Sequence, residues 1–160
     1  TSPREWMHGG GGRAWFARTA DDAEAQVDRA RDEVAAIRAA LVVEGREARD
    51  VVIAGFSQGA SLALDVALST TDPPRAIVAF SGRLLSRFTG RWDALARVPI
   101  FVSHGRSDPL IPFENGERAD ALARAGGARV TFVPFDGGHE LPPAVIEGAI
   151  AFLAPLATGD

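Results

Sequence analysis

The chain has no cysteine and no lysine, and no apolar run approaches the roughly 20 residues that a helix needs to cross a bilayer. Without cysteine, disulfides, thiolate catalysis and zinc–thiolate sites are all excluded. Every basic residue other than histidine is arginine, which we read, together with abundant Ala, Gly and Pro, as the stamp of a GC-rich coding sequence. Basic excess is missing too. Seventeen basic against 21 acidic residues leave a net charge of −4 and a pI near 5.4. A sequence-independent nucleic-acid binder needs the opposite balance to meet phosphate, so that class is set aside. What remains is ordinary for a soluble globular protein: 46% hydrophobic and 24% charged residues in a chain of 160, enough for one domain with a real core. The expectation is a cytoplasmic protein of a single domain. The chain opens at Thr1 rather than methionine, so a processed start or a piece of a longer protein is also expected.

Four short, nearly continuous apolar runs read as strands: Val51–Ala54, Ala76–Phe80, Ile100–Ser103 and Val130–Phe135. Runs without polar alternation suit a sheet covered on both faces. Helical patterns alternate with them. Thr19 is a candidate N-cap, after which Val27, Ala30, Val34, Ile37 and Leu41 recur at spacings of three and four until Gly45. A second helix should start near Gln58 and carry Leu62, Val66 and Ala67 inward. A third fits Glu114 to Arg124 before Gly126 and Gly127, and a fourth fits Pro143 to Ala154, with Pro155 as its stop. The alternation predicts an α/β fold: a parallel sheet with helices on both sides. The connection Gly82–Val98 breaks the rhythm, with Leu84, Leu85, Phe88 and Trp92 among arginines. It reads either as an irregular crossover packed on the sheet or as a wall over a substrate pocket.

The sharpest chemical signal is Gly55-Phe56-Ser57-Gln58-Gly59. A G-x-S-x-G pentapeptide alone is weak, since chance supplies one in roughly twenty chains of this length. Here it sits between a buried strand and a helix start. A serine on so tight a turn takes a strained backbone conformation that lifts its hydroxyl off the sheet, and glycines on either side let strand and helix approach. The helix start offers the Gln58 backbone N–H and a positive dipole end to a developing oxyanion. A serine hydroxyl attacks only when a base takes its proton. His139, in Asp136-Gly137-Gly138-His139-Glu140 after the last strand, is the candidate base; His104 reads as a ring bonded to loop backbone, and His8 as a solvated loop residue. Asp108, just past the third strand, is the candidate carboxylate that orients the imidazole. Asp136 competes, but it lies three residues from His139, a loop too short to aim both side chains at each other. The chain order Ser57, Asp108, His139 is that of α/β-hydrolases.

Taken together these segments resemble the phospholipase/carboxylesterase family, which includes acyl-protein thioesterases. Gly55–Ala60 looks like that family's nucleophile elbow almost letter for letter, while His104–Pro112 and Gly137–His139 look like its acid and base segments. Trp15-Phe16 resembles its stretch before the elbow, although Ala17 stands where an acidic residue is usual. The similarity runs from about Gly12 to the C-terminus. It implies an α/β-hydrolase-type sheet and hydrolysis of small or short-to-medium-chain acyl esters, or thioesters, through an acyl-enzyme and without a cofactor or metal. Phe56, Leu110 and Ile111, beside the serine and the carboxylate, are expected to contact substrate. The alternatives are a non-catalytic hydrolase-like binding domain and another serine-triad hydrolase, such as a peptidase, amidase or dienelactone-type enzyme.

One departure stands out. The family begins with further strands and a loop that supplies the second oxyanion N–H, and Thr1–Met7 shows no strand pattern. His8–Gly12 superficially matches a His-Gly-Gly-Gly oxyanion loop of other esterases, without the buried strand that such a loop follows. The fold is therefore expected to be truncated, with about four recognisable strands and Val51–Ala54 as an exposed edge. Such an edge invites a homodimer or an exchange of segments.

Overall fold

The computed structural model describes residues 4–5, 13–15, 23–43, 45, 47–85 and 91–157. The Thr19 cap, the His8–Gly12 run and Phe88 lie outside them. Two short strands, β1 (Arg4–Glu5) and β2 (Arg13–Ala14), form an antiparallel pair. Thr1–Met7 thus contains a strand that its side-chain pattern does not announce. A two-residue ladder is held by backbone hydrogen bonds and needs no alternation of side chains. Then follow α1 (Ala23–Val43), β3 (Val52–Phe56), α2 (Gln58–Ser69), β4 (Ala76–Phe80), β5 (Pro99–Gly105), α3 (Glu114–Ala125), β6 (Arg129–Phe135) and α4 (Pro143–Ala157).

Strands β3 to β6 form one parallel sheet in the order β3-β4-β5-β6. The middle strands β4 and β5 are covered on both faces, which is why their sequences lack polar alternation. Ile53, Ile77, Ala79, Ile100 and Val102 point into a cluster with Ala30 of α1, the apolar side of α2, and Ala119 and Ala123 of α3. Val78 and Phe101 point the other way, onto Val145 and Ala149 of α4, with Val52, Phe80, Val133, Phe135, Phe152 and Leu153 around them. This is the parallel sheet flanked by helices that the residue pattern predicts. β3 stands at one end of the order, and Ala54 on it is exposed.

Helix α1 packs on α2, and Arg31 on α1 reaches across to Asp65 on α2 at 2.8 Å, with the Asp65 side chain only 2% exposed. Ile37, expected on the buried stripe, is 57% exposed. Helix α4 does not stop at Pro155 but continues to Ala157. A proline in the last turn forfeits one N–H bond without breaking the turns before it. In the crossover after β4, Trp92, Leu95 and Val98 are buried in the core, and Leu84 and Leu85 pack against it. The Arg83 N–H donates to Ser61 Oγ at 3.0 Å and the Leu84 N–H to Asn115 Oδ1 at 3.2 Å, pinning the crossover to α2 and α3. Its described part behaves as packing.

Because all four strands are parallel, Phe56, Phe80, Gly105 and Phe135 end them at the same rim. Ser57, Asp108 and His139 each follow one of these ends, by one, three and four residues.

Candidate active site

Ser57 occupies the turn between β3 and α2 with φ 56° and ψ −116°, a conformation that a non-glycine residue holds only when its surroundings impose it. They do so at both ends of the residue. The Ser57 N–H donates to the Phe80 carbonyl at 2.9 Å, and the Ser57 carbonyl accepts the N–H groups of Ala60 and Ser61, each at 3.1 Å. Serine at a helix start ordinarily spends its hydroxyl on capping, but Ser57 makes no side-chain cap bond.

The two glycines of the pentapeptide are not equivalent. A Cβ on Gly55 would lie 2.2 Å from the carbonyl carbon of Gly59, so strand and helix touch backbone to backbone there. A Cβ on Gly59 would meet nothing within 4 Å among the described residues. Gly55→Ala should therefore cost at least the roughly 1–3 kcal/mol typical of overpacking. Gly59→Ala should be neutral, or stabilise α2 by up to about 1 kcal/mol through lower unfolded-chain entropy. Thermal unfolding of the two variants checks the asymmetry; equal Tm shifts would contradict it.

Gln58 opens α2, and its side-chain Oε1 accepts the Trp15 N–H at 3.0 Å. The segment just after β2 is thereby attached to the residue that follows the serine. This bond joins positions 43 apart and has no local signal in the sequence.

Asp108 and His139 come together from two adjacent loops. The His139 Nδ1–H donates to Asp108 Oδ2 at 2.7 Å, with the carboxylate side chain 0% and the imidazole 12% exposed. The other carboxylate oxygen, Oδ1, accepts the N–H groups of Leu110 and Ile111 at 2.8 and 2.9 Å. The loops are laced together: the Arg106 N–H donates to the Phe135 carbonyl at 2.9 Å and the Ser107 N–H to the Gly137 carbonyl at 3.0 Å. Gly105 allows this approach, since a Cβ there would stand 2.2 Å from the Gly138 carbonyl oxygen. Asp136, the competing carboxylate, points away; its side chain is 97% exposed and faces Arg106 at 3.6 Å. The imidazole of His139 lies against the ring of Phe56, centroids 4.7 Å apart, and so beside the residue that precedes Ser57.

Burial alone would raise the Asp108 carboxyl, but the N–H bond from Ile111, the bond from His139 and the N–H bond from Leu110 outweigh it and hold the group below the usual aspartate value. A carboxyl depressed in the folded state stabilises the fold above its unfolded value of about 3.9, and that stability is lost as pH falls through the lower, folded value. Asp108→Asn should flatten this acid limb, which urea midpoints taken between neutral and strongly acid pH will measure. An unchanged limb would remove Asp108 as its source.

Of the residues expected to touch substrate, Phe56 is half-buried against His139 and Leu110 is 45% exposed. Ile111 is buried and committed to structure, its N–H on Asp108 and its carbonyl beside the His104 ring at 2.9 Å. No cluster of three or more potential metal ligands occurs among the described residues, and no helix there is long and apolar enough to span a membrane.

The phospholipase/carboxylesterase family model matches residues 2–157. Acyl-protein thioesterase 1 of Gibberella zeae is 31% identical over 109 residues, covering 64% of this chain and 46% of the relative. Esterase YpfH of Escherichia coli is 29% identical over 147 residues, 89% of this chain and 62% of the relative. The crystal structure of esterase PE8 superposes with a TM-score of 0.84 at 27% identity, covering 97% of this chain and 75% of that one. The chain spans about half the length of the acyl-protein thioesterases it matches. With its residues matched almost from end to end, the chain belongs to the phospholipase/carboxylesterase family.

Proposed function

We propose that this chain is a serine ester hydrolase in which Ser57 is the nucleophile, His139 the general base and Asp108 the residue that orients it. The observation that carries the reading is the 2.7 Å bond from His139 to a buried carboxylate, with the imidazole resting on Phe56 next to a strained serine. With Nδ1–H engaged by Asp108, the His139 Nε2 is the unprotonated nitrogen able to take the Ser57 proton as Oγ attacks an ester carbonyl. The Gln58 N–H, first in α2, stabilises the oxyanion. The imidazolium then returns its proton to the leaving alcohol or thiol, and a water activated in the same way releases the acid from the acyl-enzyme. Relatives carry the names acyl-protein thioesterase and probable feruloyl esterase, which supports an acyl group on oxygen or sulfur as substrate. Reaction with a fluorophosphonate, read by intact mass, together with turnover of a short-chain nitrophenyl ester, tests the reading. A chain that takes up no adduct and turns over no ester is a binding domain instead.

The position of β3 supports a further proposal about assembly: its outer edge pairs with a strand of a second copy. Light scattering behind size exclusion should then give a dimer mass. A monodisperse monomer at high concentration rules the pairing out.

A further inference from the structure

His104 is wholly buried at the end of β5, and the proposed mechanism makes no use of it. Its ring fills the space between the acid loop and α3. A Cβ added at Gly116 would come within 2.8 Å of His104 Cβ and 3.0 Å of its Nδ1, so the ring has no room to turn toward the helix. Nε2 lies 2.9 Å from the Ile111 carbonyl oxygen. A carbonyl only accepts, so Nε2 bears the proton. Nδ1 is buried with no hydrogen-bond partner among the described residues, so the ring's one bond is the one to Ile111. The same Nε2 is 3.5 Å from Asp108 Oδ2, the oxygen that receives the His139 proton donor.

These contacts form a chain with one direction. The His104 Nε2–H holds the Ile111 carbonyl, the Ile111 N–H holds Asp108 Oδ1, and Asp108 Oδ2 holds His139. The bond from His104 closes the base of the loop from Gly105 to Leu110 that carries the carboxylate. Phe113 adds an edge-on ring contact to His104 at 6.0 Å, and the Arg106 guanidinium lies over the Phe113 ring at 5.2 Å. Remove the Nε2 donor, and a buried carbonyl is left unpaired. That carbonyl belongs to the Ile111–Pro112 peptide, which is then driven to rotate about the Ile111 Cα and shifts the loop backbone from which the Ile111 N–H reaches Asp108.

We infer that His104 is a positioning residue for Asp108, acting through the donor at Nε2 to hold the carboxylate in line with the base histidine. The inference rests on the proposed triad, and its test separates the two. Three variants of the full chain isolate the donor: His104→Gln places an amide N–H near the Nε2 position, His104→Asn places one only near Nδ1, and His104→Leu has none. Nitrophenyl ester turnover should show kcat reduced about 10²-fold in the Leu and Asn variants with KM held, as expected for a misaligned catalytic group, and most of that loss recovered in the Gln variant. Proton NMR gives a second readout that needs no turnover. The far-downfield resonance of the proton between His139 and Asp108 should persist in the Gln variant and broaden or move upfield in Asn and Leu. Should the Leu variant fail to fold, the Gln–Asn comparison decides alone. Wild-type kcat and an unmoved resonance in the Asn variant would overturn the inference, as would a Gln variant no better than Asn. A parent chain inert to fluorophosphonate removes the hydrolase reading, while the response of the resonance still decides the role of His104.

Discussion

Ser57→Ala is expected to lower ester turnover by about 10⁴- to 10⁶-fold and to abolish the fluorophosphonate adduct, with the Tm nearly unchanged. The stability side of this expectation follows from the elbow itself. Ser57 makes no side-chain cap bond to α2, so alanine forfeits no bond there. The positive φ strains alanine and serine alike, so the substitution neither adds nor relieves backbone cost. A large loss of rate with an intact fold therefore isolates the hydroxyl. An adduct that survives in the alanine variant identifies another nucleophile and ends the assignment.

Asp108→Asn should cost roughly 10⁴-fold in kcat, for a reason legible in the hydrogen bonds. Two backbone N–H groups, from Leu110 and Ile111, converge on Oδ1. The carboxamide oxygen must take that position, since an amide NH₂ there would face two donors. Its NH₂ then turns toward His139 and donates to Nδ1, which forces the imidazole proton onto Nε2. A base with its proton on the wrong nitrogen cannot accept one from Ser57. Asp136→Asn, by contrast, changes a carboxylate 97% exposed beside Arg106 and should leave the rate alone. A comparison of single-turnover acylation rates in the two variants distinguishes the carboxylates, and equal rates would return Asp136 to contention.

The parts of this fold that are legible from residues are those where each face of an element has a fixed environment. Ile77 and Val78 look to opposite sides of the sheet and both are buried, so their run carries no alternation and reads as a doubly covered strand. The Gly-Phe-Ser-Gln-Gly segment is legible for a different reason: Gly55 answers a backbone contact that no other residue could make. Where the structure departs from expectation, the cause is long-range or carried by the backbone. The β1–β2 ladder comes from backbone pairing between residues whose side chains carry no strand pattern. Gly105 marks a contact with a loop more than thirty positions away, and only the fold reveals that it admits the Gly138 carbonyl. His104 is a partial case. Its bond to loop backbone is expected from its place at a strand end, but its distance to Asp108 emerges only once β5 and the loop after it are in place.

The strand that leads into Ser57 is flanked on one side alone among the described residues, whereas β5 lies between β4 and β6. In deuterium, alternate amides of Val52–Phe56 should exchange early in dilute samples, while those of Ile100–Ser103 resist until larger openings expose them. If two copies join along that flank, the early amides slow as concentration rises, and the rigidity of the serine's own support becomes a property of how much protein is present.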